Sequence, residues 1–167
     1  VTFSVSTEAL YRAIRERLLD FEPMTGEPLG LSLGHPDRPR MYFLQAPDER
    51  EELDDDGGWP YVTLHLTDMG ALPGEQGLRH QFVCTVDVWD YPRENQFRAS
   101  TICDVAHEAF LFFTRANTLG LMFCRSSDIR RFDAPVAPGP LDRELVHTRL
   151  IVPLVVWPAF LTQYAVT

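Results

Sequence analysis

The sequence predicts an α+β domain in which two helices pack on one face of a largely antiparallel sheet. Two stretches carry apolar residues at three- and four-residue steps, and several others alternate apolar and polar residues as strands do. Their order is helix, strand, strand, strand, helix, strands. At 167 residues the chain is expected to be one domain over 1–167, long enough to bury a core without disulfides or metal.

In chain order, Ser6 can cap a helix from Thr7 to about Leu19, with Glu8 in the first turn where the helix dipole favours an acid. Leu10, Tyr11, Ala13, Ile14 and Leu18 form its apolar face. From Asp20 to Pro39, four prolines and three glycines predict a long irregular loop. Arg40 to Gln45 (RMYFLQ) is a short strand, and PDEREELDDDGGWP, with seven acids, is a surface loop.

A long hairpin is expected at about 61–89. Its first strand is YVTLHL (Tyr61 to Leu66), and its second runs from Leu78 to Trp89, where Leu78, His80, Phe82, Cys84, Val86 and Val88 alternate with mostly polar neighbours. Strands average about 5 to 6 residues. A twelve-residue alternation therefore predicts an arm that projects beyond the sheet and reaches a neighbouring subunit.

A second helix is expected from Glu94 or Asn95 to about Thr118, ended by Gly120. Ile102, Val105, Ala106, Ala109, Phe110 and Phe113 form its stripe, while Arg98, Asp104, Glu108 and Arg115 fall largely off it and can remain solvated. Strands follow at Leu121 to Arg125, Ile129 to Phe132 and Val146 to Trp157, with a proline-rich loop APVAPGPLD before the last. Toward its end the last strand is apolar on both faces, which fits either a central strand covered on two sides or a strand buried in a subunit contact. Pro153 cannot donate a ladder hydrogen bond, so a break, bulge or edge is expected there.

Composition narrows the function. Apolar residues at 45% and charged residues at 23% describe a soluble globular chain. Fifteen basic against 24 acidic side chains give a formal charge of −9, which repels phosphate backbones and anionic lipid, so neither dedicated nucleic-acid binding nor membrane association is expected. VTFSVSTEALYRAI lacks a basic segment followed by an apolar one, so no secretory leader and synthesis in a cytoplasm are expected.

Chemical signatures are sparse. Cys84, Cys103 and Cys124 form no CxxC pair and read as buried thiols. A hairpin centred between Leu72 and Pro73 would set His65 opposite His80, yet no third ligand accompanies them, as a zinc site would require. The run Asp48 to Asp56 lacks the ligand pattern of a calcium loop. Cys103 and His107 could touch on one helix, but Cys103 beside the apolar stripe reads as packing. No nucleophile elbow or phosphate loop is present. The expectation is no catalytic residues, no metal and no cofactor. Phe110, Phe112 and Phe113 cannot all face one core; one is either an intersubunit contact or part of a second small cluster under the preceding loop.

The stretches ALYRAIRERLLD, PRMYFLQAPDE, WPYVTLHL and QFVCTVDVWDYPRENQFRASTICDVAHEAF, spanning roughly residues 8 to 115, resemble tail terminator and tail-completion proteins of long-tailed bacteriophages and related gene transfer particles. In that family an N-terminal helix is followed by a short strand ending in an AP-type loop, a PYV-type strand, a strand ending like VDVW, and a helix. The resemblance implies a non-enzymatic virion protein, made in the bacterial host cytoplasm and located at the tail-neck region. It implies a ring, hexameric in the family, that caps the tail tube, stops its polymerisation and provides the head-tail docking surface. Implied partners are copies of the chain itself, the tail tube protein and a head-completion or connector protein, with DNA passing through the lumen without specific binding. Leu78, Phe82, Val86, Trp89 and Phe112 are the interface candidates. The alternatives are another neck or tube component, such as a head-completion or tail tube protein, and a small metal-binding enzyme using the histidine pair.

Overall fold

The computed structural model describes residues 7–35, 37–47, 58–71, 80–91, 97–112, 122–123, 128–138 and 144–156. They form an α+β fold: a six-stranded sheet with two long helices on one side. Helix α1 spans Thr7–Asp20, and a one-turn helix α2 spans Leu29–Ser32. Strands β1 (Gly34–His35) and β2 (Arg38–Pro39) form a small antiparallel ribbon. The sheet proper contains β3 (Met41–Phe43), β4 (Tyr61–Ala71) and β5 (His80–Asp90), and then helix α3 (Arg98–Phe112) follows. Strands β6 (Met122–Phe123), β7 (Arg130–Pro138) and β8 (Glu144–Val156) complete it.

The strand order is β3-β4-β5-β8, with β6 and β7 both pairing β8. All pairings are antiparallel except β3 with β4, whose parallel register sets Met41 beside Val62. The sheet is therefore mixed at one edge. β3 ends where Leu44 enters the left-handed region at φ 67, while its N–H donates to Leu64 O at 2.9 Å.

Alternation along these strands sorts the side chains cleanly. Val62, Leu64 and Leu66 of β4, Phe82, Cys84, Val86 and Val88 of β5, and Leu150, Val152, Leu154 and Val156 of β8 are buried on one face. They pack with Leu10, Ile14 and Leu18 of α1 and Ile102, Val105, Ala106, Ala109 and Phe110 of α3 in one core. α1 lies over β4, and α3 over β5 and β8. Burying apolar area at about 25 cal/mol per Å² is what holds the two layers together.

Several expectations change. The segment read as an irregular loop over 20–39 contains α2 and the β1–β2 ribbon, because Leu29 and Leu33 bury themselves in the core and give the loop an anchor. Gly34 in that ribbon has φ +106, and a Cβ there would lie 2.5 Å from Arg40 Nη1. The sequence APVAPGPLD was read as a loop, yet β7 runs to Pro138 with a register irregularity between Ala134 and Ala137. Prolines are tolerated there because, among the described residues, β7 pairs on one side only. Over its described residues the second hairpin strand does not project from the sheet, since β8 accompanies β5 from His80 to Asp90. Pro153 produces no register shift against β5. It falls at 152–154, where β8 has a described partner only on the β5 side.

The described polar residues of α3, Arg98, Asp104 and Glu108, stay partly or fully exposed as expected and also act as anchors. Arg98 donates to the buried Asp90 carboxylate at 2.5 and 2.8 Å, and Asp104 pairs with Arg131 of β7. Glu108 Oε1 accepts the Met24 N–H at 2.8 Å and Oε2 accepts the Thr25 hydroxyl at 2.5 Å, fastening the 21–28 segment across α3. Arg115, Phe113, Ser6, Cys124 and the acidic run 48–56 lie outside the described residues.

The Thr25 hydroxyl bond, together with the backbone donors of Met24 and Thr25 and against a smaller effect of burial, holds the Glu108 carboxyl below its usual range. A depressed folded pKa means that the stabilisation is complete above the unfolded carboxyl's range and is lost as pH falls through the folded value. A Glu108→Gln chain is expected to melt slightly below the parent near neutral pH. That gap should close as pH falls through the depressed carboxyl's range, as read by thermal melts across the acid range.

Candidate functional site

The second face of the sheet carries no helix among the described residues. Its side chains are the odd-numbered residues of β4 up to Thr67, before the bulge, and of β5 and β8, together with Tyr42 of β3 and Arg130 and Phe132 of β7. They fall into cross-strand rows fixed by the register.

One row aligns Tyr61, Trp89 and His147. The Trp89 and His147 rings stack at 3.8 Å with planes 2° apart, and Tyr61 lies on the other side at 6.4 Å and 19°. Trp59 adjoins Tyr61 at 5.1 Å and meets Tyr91 edge-on at 4.5 Å. Cross-strand aromatic pairs of this kind are worth about 0.5–1.5 kcal/mol each beyond area burial. One face of Trp89 is covered by the His147 ring, while Tyr61 lies offset beside it.

The next row aligns Tyr42, Thr63, Asp87, Arg149 and Phe132. Asp87 is buried at 8% exposure and is the hub of a charged cluster. His147 Nε2 lies 2.6 Å from its Oδ1, and Arg149 donates to it through Nε at 2.8 Å and Nη2 at 3.4 Å. The hydrogen bond to Asp87 pushes the Arg149 pKa above its ordinary value, so this guanidinium is a fixed cation. Its side chain keeps 45% exposure, with one side held by Asp87 and the rest facing solvent. Below this row lie His65, Thr85, Ile151 and Arg130, then Thr67, Val83 and Pro153.

The interface candidates from the sequence distribute unevenly. Trp89 is on this face, half-buried in the ladder. Phe82 and Val86 are each 1% exposed beneath the helices, so they are core residues of the chain itself. The even-numbered residues of β5 face the helix layer, and from His80 to Asp90 the strand is accompanied by β8 rather than projecting toward a neighbour. Leu78 lies outside the described residues, as does the side chain of Phe112. Asp87 was missed; its signal was its position two residues before Trp89, on the polar phase of β5.

The other chemical candidates resolve structurally. Tyr61 pairs with Trp89, placing the centre of the hairpin several residues beyond Leu72, so His65 faces Thr85 and His80 faces Ala71. The two histidines point to opposite sides of the sheet and share no site. Among the described residues no group of three potential ligands could hold a metal ion. Cys103 is fully buried, and burial pushes its thiol up to about 11, so it is protonated at neutral pH. Burial followed by Arg131 moves His107 below its usual value. A cleft of about 430 Å³ between α2 and the start of α3 is lined by Arg40 and Arg98. Both guanidiniums are already engaged, Arg40 with the carbonyls of Trp59 and Pro60 at 2.7 Å and Arg98 with Asp90.

No described helix is long and apolar enough to cross a membrane. No protein-family model matches the chain, and no curated protein matches its sequence.

Proposed function

We propose that the chain is a structural subunit of a phage-like particle, one that assembles as a ring on the end of the tail tube, stops tube polymerisation and presents the surface on which the head docks. The observation that carries this reading is the element order over residues 7–112. A helix, a short strand running into Ala46-Pro47, a strand opening at Tyr61, a long strand closing at Asp90 and a second helix follow one another as in the family that the sequence resembles. The open sheet face supports it as well, because a face with Phe132 51% exposed and Ile151, Pro153 and Val155 only half-buried suits a chain that works among other chains. The charge of −9 favours a conduit through which DNA slides without being held. On this reading the chain is no enzyme, takes no cofactor and belongs to the tail-neck region of the virion. Its partners are its own copies, the tube protein and a head-completion or connector protein.

The test is the mass of purified protein by light scattering over a range of concentrations, alone and with tail tube subunits. A discrete ring, free or on tube ends, is expected. Long cylinders from the purified protein would reassign it as a tube component, and a monomer indifferent to tube subunits would overturn the reading.

A further inference from the structure

The segment between α1 and α2 crosses α3 with little to hold its middle down. Its ends are fixed in the core. Phe21 is 8% exposed with the Arg17 guanidinium over its ring, and Leu29, the first residue of α2, is 1% exposed. Between them Glu22, Met24, Thr25, Gly26 and Glu27 are exposed, and Pro23 is half-buried. Met24 keeps 86% exposure, so its apolar side chain anchors nothing. Among the described residues, the hydrogen bonds that tie residues 22–27 to the rest of the chain all end on Glu108. The Met24 N–H donates to Oε1 at 2.8 Å, the Thr25 hydroxyl donates to Oε2 at 2.5 Å, and the Thr25 N–H serves the same carboxylate. Gly26 then lies directly on the helix. A Cβ there would sit 3.2 Å from Val105 Cγ2 and 3.5 Å from Thr101 Cγ2, so the close approach depends on a residue without a side chain.

We propose that residues 22–27 form a strap latched onto α3 by the Glu108 carboxylate, and that it lifts as a unit, with the core intact, once that carboxylate is protonated or removed. An ionised carboxylate only accepts, so it can serve all the donors of the strap at once. Bonds to an ionised acceptor are also about twice as strong as neutral ones. Protonation weakens them and puts an O–H among groups that themselves donate. The charged groups around the latch are Glu22 and Glu27 on the strap, Asp104 and His107 on α3, and Arg17 and Asp20 at the end of α1; α2 carries no ionisable side chain. Asp104 is already paired with Arg131 of β7, and Glu108 has no ion pair among the described residues. Closure therefore comes from hydrogen bonding rather than charge pairing. Those bonds hold the Glu108 carboxyl low, so the latch is complete near neutral pH and is lost as pH falls through the depressed value. Phe21 and Leu29 do not depend on Glu108, which is why the ends stay in place. A segment with exposed hydrogen bonds and few buried apolar contacts opens at lower cost than the whole fold. Opening takes the Gly26 backbone off Val105, which is 1% exposed with the strap closed.

The test is amide hydrogen exchange of the full chain by NMR, in low urea, with each rate referred to its intrinsic value at the same pH. In the parent the Met24 and Thr25 amides are expected to exchange at least about a hundredfold faster than those of Cys84 to Val88 in β5. They should also show no urea dependence, because lifting the strap exposes little surface. Glu108→Ala is expected to remove about tenfold of the protection left at Met24, and Glu108→Gln, which keeps one carbonyl acceptor, less than that. Lowering the pH should do the same to the parent and nothing to Glu108→Ala. Strap amides that exchange in step with β5 and share its urea dependence would show that the segment opens only with the whole chain, and the strap is then overturned. Parent-like protection in Glu108→Ala, or protection in the parent that stays flat across the acid range, would remove the latch.

Discussion

A Phe82→Ala chain is expected to be about 3–5 kcal/mol less stable than the parent, the usual cost of emptying a buried aromatic site. Phe82 is among the largest fully buried side chains, on the central strand β5, with Leu154 beside it in register on β8. Flanking strands on both sides and the helix layer above leave the cavity little room to collapse, so both the transfer cost and the cavity cost apply. Against the 5–15 kcal/mol that separates most folded domains from their unfolded state, about a fifth or more of the stability would vanish. Urea denaturation at two protein concentrations is the measurement. The expected loss is the same at both, because Phe82 supports its own chain. A loss that appeared only at the concentration where copies associate would return Phe82 to an interface.

Replacing Arg98 by methionine is expected to cost about 3 kcal/mol, because it strands the Asp90 carboxylate in the protein. Asp90 is 1% exposed and accepts two hydrogen bonds from Arg98, the first residue of α3, so the pair ties the end of β5 to the start of the helix. Arg98 keeps 38% side-chain exposure, which places the effect at the low end of the range for a broken buried pair. The double variant Arg98→Met with Asp90→Asn removes both charges and should recover much of the loss. A double-mutant cycle in denaturant measures the coupling directly. Equal stability of Arg98→Met and the parent would show that the pair ties nothing together.

Local pattern made the major elements legible. The helical step over Leu10, Ile14 and Leu18 matched α1 to within a residue, and the stripe Ile102 to Phe110 marked the buried side of α3. The phase of β5, with Phe82, Cys84, Val86 and Val88 on one face, followed from alternation alone. What was read less well had weak local signals. The 20–39 segment has too many prolines and glycines for any periodicity, yet two leucines fasten it to the core. β7 contains prolines that argue against a strand, and it exists because β8 offers it an edge.

The candidate face shows the same division. Alternation assigned Trp89 and Asp87 to one side of β5, and His147, Arg149 and Ile151 to one side of β8. It could not bring Asp87 to Arg149, because the β5–β8 pairing joins residues about sixty positions apart and nothing local sets that register. Shifting the β4–β5 register by a few residues was enough to separate His65 from His80 and dissolve the imagined pair. The sequence by itself determined the fold class, the buried phase of each long strand and the acidic balance, since these depend on the spacing of side-chain types along the chain. Only the tertiary structure decided which strands are neighbours, where Asp87 finds its cations and which face carries no helix among the described residues, because those follow from pairings between distant segments that only the collapsed core brings together.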